Sequence, residues 1–226
     1  MSIFKIIVPA KGNSLRVPKK NLKKFGSKRL IDWTLEPLLN SKIGEIIVSS
    51  ESSEVLDYVS KYNVSLHFRP KELSLPNVHS SLAVFDAAKK KCDDNNIVGV
   101  ALPTIPFREP KTIENIKNYF LLNTKRSLVS VVSLRVTKNH LIFKGEDGIF
   151  EKFNNKYNFQ DNESSEMFAL SGYLQLAKFK DFKKMKSFHL LKPIFFEVPF
   201  EEALDINTNE DFDFASTLAE NKKKLN

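Results

Sequence analysis

Short apolar runs alternate along this chain with stretches whose apolar residues recur at helical spacing. Ile6, Ile7 and Val8 centre a predicted strand over residues 5–9, and Ile46, Ile47 and Val48 centre another over 45–50. Further strands are predicted over 64–68, 96–102, 128–134, 168–177 and 193–200. Between them lie a helix over about 30–40 and one capped by Ser52 or Ser53 that carries Val55, Leu56, Val59 and Tyr62. A third helix turns Leu82, Phe85 and Ala88 to one side, with Val84 beside them. A fourth, capped by Thr112, holds Ile113, Ile116, Tyr119 and Phe120. A short helix over 179–188 precedes a last one that starts at Thr208-Asn209-Glu210-Asp211 and turns Phe212, Phe214, Ala215 and Leu218 inward. Strands that regularly give way to helices predict an α/β protein with a mostly parallel sheet.

The rhythm breaks at about Lys138, where short strand-like pieces, several asparagines, Gly145 and Gly148 replace amphipathic helices. Residues of about 138–170 therefore read as an inserted, β-rich arm, suited to contact with a second copy. No repeat or long linker divides the rest, so residues 1–226 are expected to form a single domain.

Charge sharpens this outline. The net charge is +8, and the early part of the chain concentrates it: Lys11, Arg16, Lys19, Lys20, Lys23 and Lys24 crowd around Gly12-Asn13-Ser14. A nucleic-acid binder usually spreads its cations over a face, whereas cations beside a glycine turn after a first strand suit a small polyphosphate. No apolar run is long enough to span a membrane. The N-terminal residues lack a signal-peptide core, so a cytoplasmic location is expected. The single cysteine, Cys92, has no partner for an internal disulfide, and the four histidines, His67, His79, His140 and His189, match no zinc spacing.

Several residues can carry chemistry. Lys11, Arg16 and Lys20 can hold phosphate oxygens, with backbone N–H groups of Gly12, Asn13 and Ser14 converging on an anion. An exposed basic loop would look the same. Neither GxxxxGK[ST] nor GxGxxG is present, which argues against a P-loop ATPase or a dinucleotide dehydrogenase. Asp205 can ligate Mg²⁺, with Asn207 two residues on facing the same way in extended chain. Asp205 or Thr208 can equally cap the last helix. Arg69 and Arg108 follow strands and can bind phosphate or carboxylate, although Arg108 can also pair with Glu109 or a helix carboxylate. His79 lies in a rim loop beside Ser80 and Ser81. Ser171-Gly172-Tyr173 permits either close ligand approach or a bulge.

These pieces together resemble the acylneuraminate cytidylyltransferases, which include the CMP-sialate, CMP-pseudaminate and CMP-legionaminate synthetases and, more distantly, the CMP-KDO synthetases. IIVPAKGNSLRVPKKNL resembles the family's PARxxSKxxPxKN, LPTIPFR its QPTSPLR, FQDNESSEMFALSGYLQL its QD…NGAxY segment and LDINTNEDFDFA its DIDTxxDxxxA. IIVSSESSEV and HFRPKELS fall between them in family order. The resemblance implies a three-layer, Rossmann-like nucleotidyltransferase fold with an inserted dimerisation arm. It also implies a Mg²⁺-dependent reaction in which the anomeric hydroxyl of a 2-keto sugar acid attacks the α-phosphate of CTP and pyrophosphate leaves. By position, Lys11, Ser14 and Lys20 resemble triphosphate-binding residues, Asn21 and Arg69 nucleotide-recognition residues, and Asp205 a magnesium ligand. Gln160, Asp161 and Tyr173 fall in the arm and sugar site.

The chain also departs from the family. Leu102 stands where the family has a glutamine beside the nucleotide, Lys11 replaces an arginine, Leu15 a lysine, Asn207 the second aspartate of DIDT, and Ser171 the asparagine of NGAxY. Two other readings stay open: a related nucleotidyltransferase with an altered nucleotide or acceptor, or a catalytically weak relative acting as a binding or assembly subunit.

Overall fold

All of the apolar runs read as strands lie in one seven-stranded sheet in the computed structural model, which describes residues 3–137, 141–144, 149–152 and 166–222. In chain order the elements are β1 (Phe4–Pro9), β2 (Lys24–Phe25), β3 (Lys28–Arg29), α1 (Asp32–Asn40), β4 (Glu45–Ser50), α2 (Ser53–Val59), β5 (Ser65–Phe68), α3 (Ser80–Lys91), β6 (Ile97–Val100), α4 (Pro110–Leu121), β7 (Leu128–Thr137), β8 (Ile142–Lys144), β9 (Phe150–Lys152), β10 (Glu166–Lys178), α5 (Phe179–Met185), β11 (Ile194–Glu197) and α6 (Asn209–Lys222). The main sheet runs β11-β7-β10-β6-β1-β4-β5. It is parallel except for β10, which runs against both β6 and β7.

The alternation inside each run sets the layers. Ile6, Val8, Ile46 and Val48 point to one face and pack under α1, α2 and α4. Ile7, Ile47, Val98 and Val100 point to the other and pack under α3 and α5. Registers Ile6↔Ile46 and Ile7↔Ile47 keep the two sets in line. A third cluster, including Val17, Phe25, Phe107, Ile206 and Phe212, seats α6 against the first loop and the β2–β3 hairpin. The result is the three-layer α/β/α arrangement expected.

Three local expectations are corrected. In α3 the buried residues are Ala83, Val84, Ala87 and Ala88, while Leu82 is 40% exposed and Phe85 half-buried. Small side chains let this helix sit close to the sheet, so the inward stripe follows size rather than the bulky residues. Thr112 does not cap α4. The helix opens at Pro110, whose fixed φ suits a first helical position, and the Thr112 hydroxyl donates to Glu202 Oε1 at 2.8 Å. In α6, Phe212, Ala215 and Ala219 are buried, while Phe214 is 61% exposed and Leu218 also faces out. The predicted start of α6 holds: Thr208 Oγ1 accepts from Asp211 N at 3.1 Å, and Asp211 Oδ2 accepts from Thr208 N at 2.8 Å and Asn207 N at 2.9 Å.

β7 and β10 outrun their neighbours, and β8 and β9, which lie between them in the chain, pair antiparallel. The described residues of the stretch 138–170 include β8, β9 and the start of β10. No described helix is long and apolar enough to cross a membrane. The chain passes from β1 outward through β4 to β5, then returns to place β6 on the other side of β1. Ligand crevices form outside the carboxyl ends of strands at such a reversal.

Candidate active site

At that reversal lies a cleft of about 610 Å³. The first loop forms one wall with Lys11, Asn13, Ser14, Arg16, Lys20 and Asn21. Arg69 and Ser74 form a second, Leu102 to Thr104 a third, and Asp205 with Asn207 close it. The expected loop residues and the expected metal ligands are therefore brought together from opposite ends of the sequence.

Lys20 makes the join. It sits buried in a short 3₁₀ turn, Lys20–Leu22, and its Nζ donates to the Ile206 carbonyl at 2.7 Å, between Asp205 and Asn207. Burial lowers its pKa, against the pull of Asp205 in the other direction. Asn21 Nδ2 donates to the Lys11 carbonyl at 2.7 Å, while its Oδ1 is buried without a partner among the described residues. Such an acceptor is costly unless a donor meets it.

Gly12 plays a different part from the expected one. Its N–H donates to Glu51 Oε1 at 2.8 Å and is not open to an anion. A Cβ there would lie 2.3 Å from Ser52 Cβ, so only glycine fits where the turn meets the start of α2. Lys11, Asn13, Ser14, Arg16 and Lys20 remain on the cleft lining from this loop.

Arg69 lines the cleft at 1% exposure. Its Nη2 and Nε reach Glu51 Oε2 at 2.6 and 3.2 Å, and Nε also donates to Ser74 Oγ at 2.8 Å. Burial pushes the Glu51 carboxyl up, but the donors from Arg69, Gly12 and Ser74 outweigh it and hold its pKa below the ordinary value. Glu51 was not singled out from sequence. Its position just past the end of β4, on the ligand rim, is the signal that could have marked it.

Arg108 lies outside the cleft lining. Its guanidinium donates to the carbonyls of Tyr173 at 2.8 Å, Leu102 at 2.8 Å, Gly172 at 3.0 Å and Ile105, and to Thr34 Oγ1 at 3.2 Å. Burial draws its pKa down to about 10. It clamps the backbone behind the cleft, and among the described residues it makes no ion pair with a carboxylate. Tyr173, expected in the sugar site, is 0% exposed, with its hydroxyl donating to Glu202 Oε2 and accepting from Glu109 N at 3.0 Å. Burial and the Glu202 carboxylate raise its pKa. Gln160 and Asp161 lie outside the described residues.

Leu102 presents an apolar side chain to the cleft and packs on Gly172, where an added Cβ would lie 2.3 Å from Leu102 Cδ1. Gly172 is thus a close-packing position. His79 accepts from Ser81 N at 3.2 Å and caps α3, and His67 is packed between Ser49 and Asp86.

Asn207 Nδ2 donates to Asp205 Oδ2 at 3.0 Å, so the two expected ligands are neighbours. Asp211 is engaged as a helix cap, and the described residues contain no group of three or more His, Cys, Asp or Glu able to hold a metal. One carboxylate and one amide are a sparse donor set. It fits Mg²⁺, which keeps several waters and is completed by substrate phosphates.

Comparison with known proteins agrees with this architecture. Residues 5–223 match the family model described as "Cytidylyltransferase". The pseudaminic acid cytidylyltransferase of Campylobacter jejuni strain 81-176 is 27% identical over 220 residues, covering 94% of each chain. The CMP-N,N'-diacetyllegionaminic acid synthase of Legionella pneumophila is 27% identical over 225 residues, covering 95% of each. Among solved structures, a CMP:2-keto-3-deoxy-manno-octonic acid synthetase complexed with CTP superposes with a TM-score of 0.70 at 14% identity, covering 98% of this chain and 100% of that one. The 4-diphosphocytidyl-2C-methyl-D-erythritol synthase of Anaerococcus prevotii gives 0.66 at 16% identity, covering 96% and 98%. The sheet order, the cleft at its reversal and a family match across nearly the whole length lead to one assignment: the chain belongs to the cytidylyltransferases, in the acylneuraminate, pseudaminate and legionaminate group of nucleotidyltransferases.

Proposed function

We propose that the cleft binds CTP and a 2-keto sugar acid and transfers CMP to the sugar's anomeric hydroxyl with release of pyrophosphate. The observation that carries this reading is the Lys20–Ile206 bond, which holds the cationic first loop against the Asp205–Asn207 pair in one cleft. Lys11, Ser14, Arg16 and Lys20 grip the triphosphate, and Arg fits phosphate oxygens as a fork. Asn21, on the cleft lining, lies beside the base. Asp205, with Asn207, would hold Mg²⁺, which when bound neutralises phosphate charge. The sugar hydroxyl oxygen forms a bond to the α-phosphorus, the bond from that phosphorus to the bridging oxygen breaks, and the hydroxyl proton leaves through water beside Asp205. Catalysis by the chain is then positioning and charge stabilisation.

Exposed Leu134, Val136, Phe168 and Leu170 near the β8–β9 hairpin suit contact with a second copy, giving a homodimer through the arm. The setting is cytoplasmic, where CTP is available, and no nucleic-acid or membrane partner is invoked. A second reading rests on Leu102 and Asn207: an apolar residue beside the nucleotide and a neutral one beside Asp205 fit a different nucleotide or acceptor, or a weakly active binding subunit. Pyrophosphate release from pure protein, Mg²⁺, each NTP and a panel of keto sugar acids decides between them. CTP with a nine-carbon keto acid should give turnover. Turnover with another NTP alone supports the altered enzyme, and nucleotide binding without any turnover supports the binding subunit.

A further inference from the structure

We propose that Glu51 is a positioning residue that ties two walls of the cleft together, setting both the Gly12 turn and the Arg69 guanidinium with one carboxylate. Every group facing this carboxylate is a donor: Gly12 N–H at 2.8 Å on Oε1, and Arg69 Nη2 at 2.6 Å, Arg69 Nε at 3.2 Å and Ser74 Oγ at 2.8 Å on Oε2. A carboxylate accepts at both oxygens. Glutamine would turn an NH₂ toward a donor on one side or the other, so it cannot serve both walls. Aspartate is one methylene short.

The surroundings leave the first loop few other anchors at this point. Gly12 lies flush on Ser52, and Ala10 N donates to Ser49 O at 2.9 Å. Farther along, Lys19 Nζ pairs with Glu54 at 2.9 Å. The loop that carries Lys11, Ser14 and Arg16 is therefore hung at its start from the end of β4 and the start of α2, with Asn21 on the Lys11 carbonyl and Lys20 on the Ile206 carbonyl holding its far end. On the other wall, Arg69 is a buried cation, and Glu51 is its counter-ion in the described structure. A buried charge stripped of its partner shifts or draws in water. Loss of Glu51 thus disturbs both walls at once.

The consequence for ligand binding rests on reading the cleft as a nucleotide site, but the strut itself does not. In the ligand-free full chain, amide hydrogen exchange should accelerate at Gly12 by about tenfold or more in Glu51→Gln, while Ile7 in β1 stays protected. Glu51→Asp, which keeps a charge beside Arg69, should accelerate Gly12 exchange to a similar degree and provides the test if the glutamine variant fails to fold. By calorimetry with Mg²⁺, Glu51→Gln should weaken CTP binding by about tenfold. The Glu51→Gln/Arg69→Met double variant should bind more weakly than Arg69→Met but by less than the sum of the two single losses, because Glu51 acts partly through Arg69 and partly through the Gly12 turn. Unchanged Gly12 exchange in both variants overturns the strut, as does full additivity of the two substitutions in CTP affinity. A wild-type chain that binds no CTP contradicts the nucleotide reading alone, and Gly12 exchange then still decides the role of Glu51.

Discussion

Arg69 directly follows β5 and Arg108 lies in the segment after β6, and both are almost wholly buried, yet they belong to different machinery. Arg69 stands in the cleft wall beside a carboxylate. Arg108 lies beneath the floor, with its N–H groups on four carbonyls and a threonine hydroxyl. Sequence position marks both as candidates for anion binding. What separates them is the partner set: carbonyl acceptors engage an arginine permanently in the fold, whereas a wall position beside a pocket leaves it in reach of a ligand. A buried cation after a strand is therefore no ligand site until its donors have been counted.

The largest expected effect comes from breaking the floor. Arg108→Met leaves carbonyls of Leu102, Ile105, Gly172 and Tyr173 without their donor and should cost about 3–5 kcal/mol of stability, read as a large fall in Tm. Arg69→Met should cost about 1–3 kcal/mol but weaken CTP binding more than any stability loss explains. Equal losses of Tm in the two variants, with equal CTP affinity, would erase the distinction between wall and floor. Glu202 belongs with the floor: its buried carboxylate holds Thr112, Glu109 N and Tyr173 just ahead of Asp205. Glu202→Ala should lower Tm by an amount comparable to Arg108→Met.

A smaller effect sharpens the wall. In Asn207→Asp, a carboxylate replaces an amide 3.0 Å from Asp205. Two like charges at that distance favour a cation between them, so Mg²⁺ should bind tighter by on the order of tenfold in a titration with CTP present. An unchanged affinity would remove Asn207 from the metal site. The thermal midpoint without Mg²⁺ should stay level or fall slightly, because the pair is solvated.

The smallest effect is a pH dependence behind the Arg69 wall. His67, two residues before Arg69, is buried between Ser49 and Asp86, and burial holds its pKa below 6.5, against the pull of Asp86. The unfolded chain then binds that proton more tightly than the folded chain. Stability is present above 6.5 and declines as pH falls below it. Glu51, also depressed, adds its own loss only at lower pH, below its ordinary 4.5. Denaturation midpoints across this range should show the first decline in wild type and lose it in His67→Gln. A decline unchanged by that substitution would assign it to other groups.

Much of the fold was legible because each central strand is a continuous apolar run bounded by turn residues. Ile46-Ile47-Val48 reads the same way in sequence and in structure, and Thr208 with Asp211 announces the start of α6. The inward faces of α3 and α6 were less legible. Periodicity is naturally read from large residues, and here Ala83, Ala87, Ala215 and Ala219 face the core while Leu82 and Phe214 do not. At the site, the first loop and Asp205 were visible as charge and motif. The roles of Glu51, Arg108, Tyr173 and Glu202 were not, because each is defined by partners far along the chain, as when Glu202 meets Glu109 and Tyr173.

A crystal structure of the full chain with CTP and Mg²⁺, without sugar acceptor, tests the central claim most directly. The triphosphate should lie between Lys11, Arg16 and Lys20 on one side and Asp205 on the other, with the base near Asn21. A nucleotide bound elsewhere, with the first loop turned to solvent and no phosphate near Asp205, would contradict it.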